Sequence, residues 1–372
     1  MKLFRWILFL AMVGGLFGCQ LGPREQILAV DTPQVPKMVE PAVPTPTRTA
    51  KPRPSATPLP TLAPTSSPVP LSGSILTRDN ISAAVPSELK FPAAGNDFYW
   101  PGGARLLLLQ ETSFLQVNLE PLTIGAEIPI DAPGNHLAAS PDGAHVLVQA
   151  GDGGLFVWNT ADHSRQPINF GVASFGHFSP DGTMIVLGSP EKIEVTLLDA
   201  ATLKVIKSLS GFEIITQGPQ VYQALVSPGN DRILWQARTQ IAWMDIQGGV
   251  LGPVYEYQNN VNGTAISPDG KQLVVSAGDL LQAIFTQTDG SHALDLLLKP
   301  EGSVSQAAFS PDGSLAAAGV GGKILVWESA DWTKVAELGA DASGIRQVGF
   351  SPDGRVLAAV DQENRLTIWR VR

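Results

Sequence analysis

Short runs in which apolar and polar residues alternate fill the chain from about residue 74 onward, and the runs repeat in a fixed order. Gln347-Val348-Gly349-Phe350 and Val356-Leu357-Ala358-Ala359-Val360 are one such pair, separated by Ser-Pro-Asp-Gly-Arg. A period of two is that of a β-strand, and Asp-Gly between two strand-like runs is a strong hairpin signal. Proline presets φ for a tight turn, Asp tolerates the bridge position, and Gly accepts positive φ. Ser-Pro-Asp-Gly recurs at 140–143, 179–182, 267–270, 310–313 and 351–354. A degenerate copy, Ser227-Pro228-Gly229-Asn230, fills the widest gap, and Trp100-Pro101-Gly102-Gly103 precedes them all. The starts step by 40, 39, 48, 40, 43 and 41 residues.

Downstream of the turns, a third run ends in a bulky residue, as in Leu155-Phe156-Val157-Trp158, Ile324-Leu325-Val326-Trp327 and Leu366-Thr367-Ile368-Trp369. Weaker versions lie around Leu198, Met244 and Phe285, and a more polar fourth run such as Lys334-Val335-Ala336-Glu337-Leu338 follows in most units. Each unit is therefore a four-stranded meander too small to bury both of its faces. A repeat of about 40–45 residues is that of a propeller blade, and seven blades stacked around an axis cover every face. The pattern predicts an all-β chain, a seven-bladed β-propeller over 74–372.

The stretch 307–338, AAFSPDGSLAAAGVGGKILVWESADWTKVAEL, resembles the WD-repeat family over its whole length. That family's Gly-His dipeptide, part of a buried His–Ser/Thr–Asp–Trp network, is absent from most units, and its closing Asp appears only as Asn159, Asp199, Asp245 and Glu328. The blades are accordingly expected to rely on apolar packing. The last unit stops at Arg372 after its third run, and residues 75–91 precede the first unit with no other role. The resemblance implies that 75–91 supplies the missing outer strand and latches the ring.

Ahead of the ring the pattern is different. Met1-Lys2-Leu3-Phe4-Arg5 is basic, and Trp6 to Gly18 carries no charge. As a helix that run spans roughly 20 Å, short of a ~30 Å hydrocarbon core, so it reads as a secretory signal peptide over 1–18. Leu16-Phe17-Gly18-Cys19 resembles the lipobox of bacterial lipoproteins. The resemblance implies cleavage before Cys19, diacylglycerol on its thiol, and a further acyl chain such as palmitate on the new amine. Such chains hold a protein stably on a membrane. Residues 19–73 are then a lipidated cysteine and a disordered Pro/Thr-rich linker. Thirteen prolines in 20–73 leave neither helix nor sheet able to propagate.

Charge and composition narrow the function. The first 73 residues carry +4 of a chain total of −9, leaving −13 on the ring. An acidic ring repels phosphate, so nucleic acid is not an expected partner. Cys19 is the sole cysteine, which rules out an intramolecular disulfide. The repeated Asp142, Asp181, Asp269, Asp312 and Asp353 fit turn roles better than a metal site, and Gly151-Asp152-Gly153-Gly154 lacks the alternating carboxylates of a calcium loop. The histidines (His136, His145, His163, His177 and His292) form no H-x-x-x-H pair and read as surface or packing residues. There is no G-x-S-x-G elbow, P-loop or dinucleotide fingerprint. No metal, cofactor or enzymatic activity is expected.

The expectation is a membrane-anchored scaffold facing outside the cytoplasm, binding a protein or a surface glycan with one propeller face. A lactonase-like or sugar-processing hydrolase is the alternative. The family's topology implies that the loops entering each innermost strand, together with the turns between second and third strands, make the docking face. Aromatic and Arg residues are the natural anchors there. His136, Tyr222, Arg238 and Arg346 are the candidates, with Phe175 beside them.

Overall fold

In the computed structural model the described residues are 37–39, 73–91, 98–100, 105–110, 113–129, 134–211, 221–247, 250–286, 292–339 and 344–371. The expected signal peptide over 1–18, Cys19 and most of the linker lie outside them. All of the described residues belong to one unit, Pro36–Arg372. No helix among them is long and apolar enough to cross a membrane.

The strands form seven antiparallel sheets, which are the seven blades of a β-propeller. Blade 1 holds Phe98–Tyr99, Arg105–Leu109, Ser113–Leu119 and Leu122–Pro129, and blade 2 holds Gly134–Ala139, His145–Ala150, Leu155–Asn159 and Arg165–Ile168. Blade 3 holds Phe175–Phe178, Met184–Gly188, Glu194–Asp199 and Val205–Ser210. Blade 4 holds Gln223–Val226, Arg232–Gln236, Gln240–Asp245 and Val250–Glu256. Blade 5 holds Val261–Ile266, Gln272–Ala277, Leu280–Thr286 and His292–Leu298, and blade 6 holds Val304–Phe309, Leu315–Val320, Lys323–Glu328 and Lys334–Gly339. Blade 7 takes Ile345–Phe350, Leu357–Asp361 and Arg365–Arg370 from the C-terminus and Val85–Lys90 from far upstream. Strands are numbered outward from the axis, the first being innermost.

The core is divided among the blade junctions. Seven apolar clusters occur among the described residues, one for each pair of neighbouring blades, including the pair formed by the last and the first. Strand periodicity makes the division. In the second strand of blade 2, Val146 and Val148 join blade 1's Phe114 while Leu147 between them joins blade 3's Ile185 and Leu187. Central strands are buried on both faces, which is why Met184–Gly188 and Leu315–Val320 read as unbroken apolar runs. Full burial of each such side chain stabilises by about 1.5–3 kcal/mol.

Closure follows the expected route. Val85–Lys90 pairs with Arg365–Arg370 from Val85↔Arg370 to Lys90↔Arg365. A 3₁₀ turn, Ile81–Ala83, precedes it, and Leu76 and Ile81 fill the junction of blades 6 and 7. At the junction of blades 7 and 1 the Gln347 amide grips one residue twice: Phe98 N–H donates to Oε1 (2.7 Å) and Nε2 donates to the Phe98 carbonyl (3.1 Å).

Within the linker, Lys37–Val39 adds a fifth strand to the outer edge of blade 4. Lys37, Met38, Val39 and Glu40 lie between Pro36 and Pro41 and keep their N–H groups, which is enough for a short ladder.

Candidate interaction face

Because each blade is a meander, its connections alternate between the two faces of the disc. Turns joining first to second strands, and third to fourth, share one face. Turns joining second to third strands, and the loops leading into each first strand, share the other.

The Ser-Pro-Asp-Gly face is used up by its own structure. In blade 6 the Ser310 hydroxyl donates to Asp312 Oδ1 (2.6 Å) and accepts from Leu315 N–H (2.9 Å), while Ser314 N–H donates to the same carboxylate oxygen (3.0 Å). The same bonds occur at Ser140/Asp142, Ser179/Asp181, Ser267/Asp269 and Ser351/Asp353. Burial alone would raise the pKa values of Asp181, Asp269 and Asp312, but the serine and backbone donors outweigh it and hold them below the ordinary value. Each turn also touches the next. Pro268 Cδ lies 3.5 Å from where a Cβ on Gly313 would stand, and Gly313 has φ +73°. In the irregular fourth turn, Asp231 takes the serine hydroxyl in place of the missing Asp (2.7 Å). Asn230, at φ 54°, extends its amide to Asp181 of blade 3. Gly151–Gly154 on the opposite face is likewise a turn, with Asp152 Oδ1 accepting from Gly154 N–H (2.9 Å).

The loop face holds the unused groups. Its frame is a repeated backbone bond, in which the first residue of an inner strand donates to the second-to-third turn of the preceding blade. Val261 donates to the Arg238 carbonyl, Val304 to that of Gly278 and Ile345 to that of Gly321, each at 2.8 Å. The structure brings two of the candidates together on this frame. Tyr222, 51% exposed, donates its N–H to the Gln236 carbonyl (2.8 Å). Arg238 follows two residues later, exposed, with Nε on Asn260 Oδ1 (3.1 Å). Arg346 is half-buried on the first strand of blade 7, and His136 is on the first strand of blade 2 opposite Val148. Neither blade adjoins blade 4. Phe175 is a core residue, 6% exposed, and its ring occupies the space a side chain at Gly188 would need.

Three features of this region were not singled out from the sequence. Val172, 53% exposed, stands in the loop leading into blade 3. Beside Arg238, an open hollow of about 510 Å³ is lined by Asn259, Asn260, Asn262, Asp279 and Ser303 with Gly278 and Gly302. The Asn-Asn-Val-Asn run at 259–262 is its one sequence signal. Between blades 5 and 6 a groove of about 640 Å³ has Leu298, Val320, Leu325 and Trp327 in its floor and Lys323, Lys334 and Glu337 on its rim. Among the described residues no group of His, Cys, Asp and Glu is arranged to hold a metal ion. His177 packs on Phe175 at 6.0 Å, and its neighbours screen the ring enough to lower its pKa to about 4 by desolvation. His163, at φ 62°, stacks on Trp158.

Residues 296–328 and 332–370, most of blades 6 and 7, match the family model described as WD domain, G-beta repeat. Blades 6 and 7 carry WD repeats, and the ring they close is a seven-bladed β-propeller. Propellers of this kind are generally protein-interaction scaffolds. No curated protein sequence matches the chain. Among solved structures it is similar to the Cps50 (Swd1) β-propeller domain of Myceliophteria thermophila, at 15% identity and a TM-score of 0.64, covering 77% of this chain and all of that one. It is also similar to the hydrazine synthase of Kuenenia stuttgartiensis, at 18% identity and a TM-score of 0.60, covering 73% of this chain and 94% of that one. At such identities the likeness is one of fold alone. The Gly-His dipeptide of that family is absent from most units, and glutamine amides tie neighbouring blades together at two junctions. Gln236 donates to the Val261 carbonyl (3.2 Å) and accepts from Thr264 (3.0 Å), and Gln149 accepts from Ala173 N–H (2.9 Å).

Proposed function

We propose that this protein is an extracytoplasmic binding scaffold, lipid-anchored to the membrane at Cys19, that docks another protein on the loop face of its propeller. The observation that carries the reading is the pair Tyr222 and Arg238, an aromatic and a guanidinium both exposed on the loop face of blade 4, whose backbone is tied to blade 5. Tyr and Arg are the residue types that most often anchor interfaces. The lipobox-like Leu16-Phe17-Gly18-Cys19 and the proline-rich stretch after it support the anchor. The same reading makes the ring a binder and not an enzyme.

The hollow beside Arg238 favours a second reading, a surface glycan as the ligand. Three asparagine amides, the Ser303 hydroxyl and the Asp279 carboxylate supply donors and acceptors of the kind sugar hydroxyls pair with.

In-cell crosslinking followed by mass spectrometry separates these readings. A protein crosslinked to the loop face, and lost when Tyr222→Ala and Arg238→Ala are combined, is the expected result. Repeated recovery of no specific protein counts against the scaffold. In the same cells Cys19→Ser should release the protein from the membrane fraction, and its retention there would refute the anchor.

A further inference from the structure

The fourth strand of each blade leaves its outer edge available for pairing, and most of these edges are blunted. Pro86, Pro129, Pro167 and Pro253 sit in the fourth strands of blades 7, 1, 2 and 4, and Lys207 and Lys334 in those of blades 3 and 6; in blade 4 residues 254–256, past the proline, keep their N–H groups. Among the described residues, the outer edge that carries an added strand is that of blade 4. There Lys37, Met38 and Val39 run antiparallel to Glu256, Tyr255 and Val254.

Three observations make this a selective site. Pro253, which has no N–H, directly precedes the paired stretch, and Pro36 and Pro41 bracket the added strand. Both partners are thereby confined to one short register. The register places a basic residue, Lys37, opposite an acidic one, Glu256. On the larger scale, the segment between residues 20 and 73 is net basic and the ring carries −13. The occupant is already on the page, and it is this chain's own linker.

We propose that the outer edge of blade 4 is a strand-addition site which Lys37–Val39 occupies reversibly, so that this clip sets how far the ring stands from its membrane anchor. A ladder of three residue pairs binds weakly between separate molecules. Covalent attachment raises the local concentration of the strand to about the millimolar range, which favours the clipped state without making it permanent. With the clip closed, the leash between Cys19 and the ring is residues 20–36. The contour limit of that many residues is roughly 60 Å, against roughly 180 Å for the 53 residues 20–72 when the clip is open. This consequence for reach rests on the anchor proposed above; the clip itself does not.

Hydrogen–deuterium exchange on the full chain tests the clip. Amides within 37–40 should exchange at least ten-fold more slowly than in a synthetic peptide of residues 33–43, and equal rates would overturn the proposal. The register is tested by disulfide formation in a Cys19→Ser background. Lys37→Cys with Glu256→Cys should crosslink on mild oxidation, since directly opposed positions lie within disulfide range. Lys37→Cys with Lys207→Cys, on the neighbouring blade, should not. Equal crosslinking of the two pairs would show that the linker has no fixed seat. Neither measurement depends on lipid, so failure of the clip and failure of the anchor are separately visible.

Discussion

Single residues carry much of what makes the turns alike and the fourth one different. Asn230 holds a left-handed φ of 54° that Gly takes in the other turns, and its amide reaches Asp181 of the neighbouring blade. Asp231 meanwhile replaces the missing carboxylate. The irregular spacing at 227 was legible in the sequence, whereas the repair was not, because it needs two turns distant in sequence to touch. His177 is the other residue whose surroundings matter. Its pKa falls from the ordinary 6.5 to about 4, so the folded protein resists a proton that the unfolded chain accepts. Its contribution to stability is complete above pH 6.5 and is lost as pH falls toward 4, with a ceiling of roughly 3 kcal/mol. Across pH 7, 5.5 and 4.5 the wild-type denaturant midpoint should fall progressively relative to that of His177→Leu. Curves that stay parallel would show that the histidine is not the group responsible.

At the scale of elements, strand positions followed from period two and from turn chemistry, and the two faces of each strand were assigned by packing. The first and last blades show what elements must do beyond being strands. Phe98–Tyr99 is a two-residue strand, too short to hold its place by ladder bonds alone. The bidentate grip of Gln347 on Phe98 supplies the missing order across the closure. Gln347→Leu leaves the Phe98 N–H and carbonyl without that partner and should cost about 1–3 kcal/mol in equilibrium unfolding. A change within a few tenths of a kcal/mol would mean that water or the neighbouring strand replaces the amide. Gln347 was visible in the sequence only as a polar position in an alternating run. Its role depends on a partner 249 residues away.

For the whole molecule the decisive fact is closure. Seven apolar clusters join seven blades into a ring, and the latch strand Val85–Lys90 covers an edge that would otherwise be open. Beginning the chain at residue 92 removes that strand together with Leu76, Ile81 and Phe91 from two junctions. The truncated protein should unfold at lower denaturant and self-associate through the bared Arg365–Arg370 edge, as open strand edges do. Light scattering of truncated and intact chains at matched concentration reads this directly, and a monodisperse, equally stable truncation would contradict it.

By itself the sequence determined the all-β class, the number of blades and the irregular fourth unit. Those features are written locally, in turn residues whose backbone preferences hold whatever surrounds them and in a period that counts the strands. Only the tertiary structure decided which exposed groups share a face, that Phe175 belongs to the core, and that Tyr222 and Arg238 share the loop face of blade 4. It also decided that Lys37–Val39 leaves the linker to pair with blade 4. Each of these depends on contacts between segments far apart in sequence, which alternation and spacing do not encode.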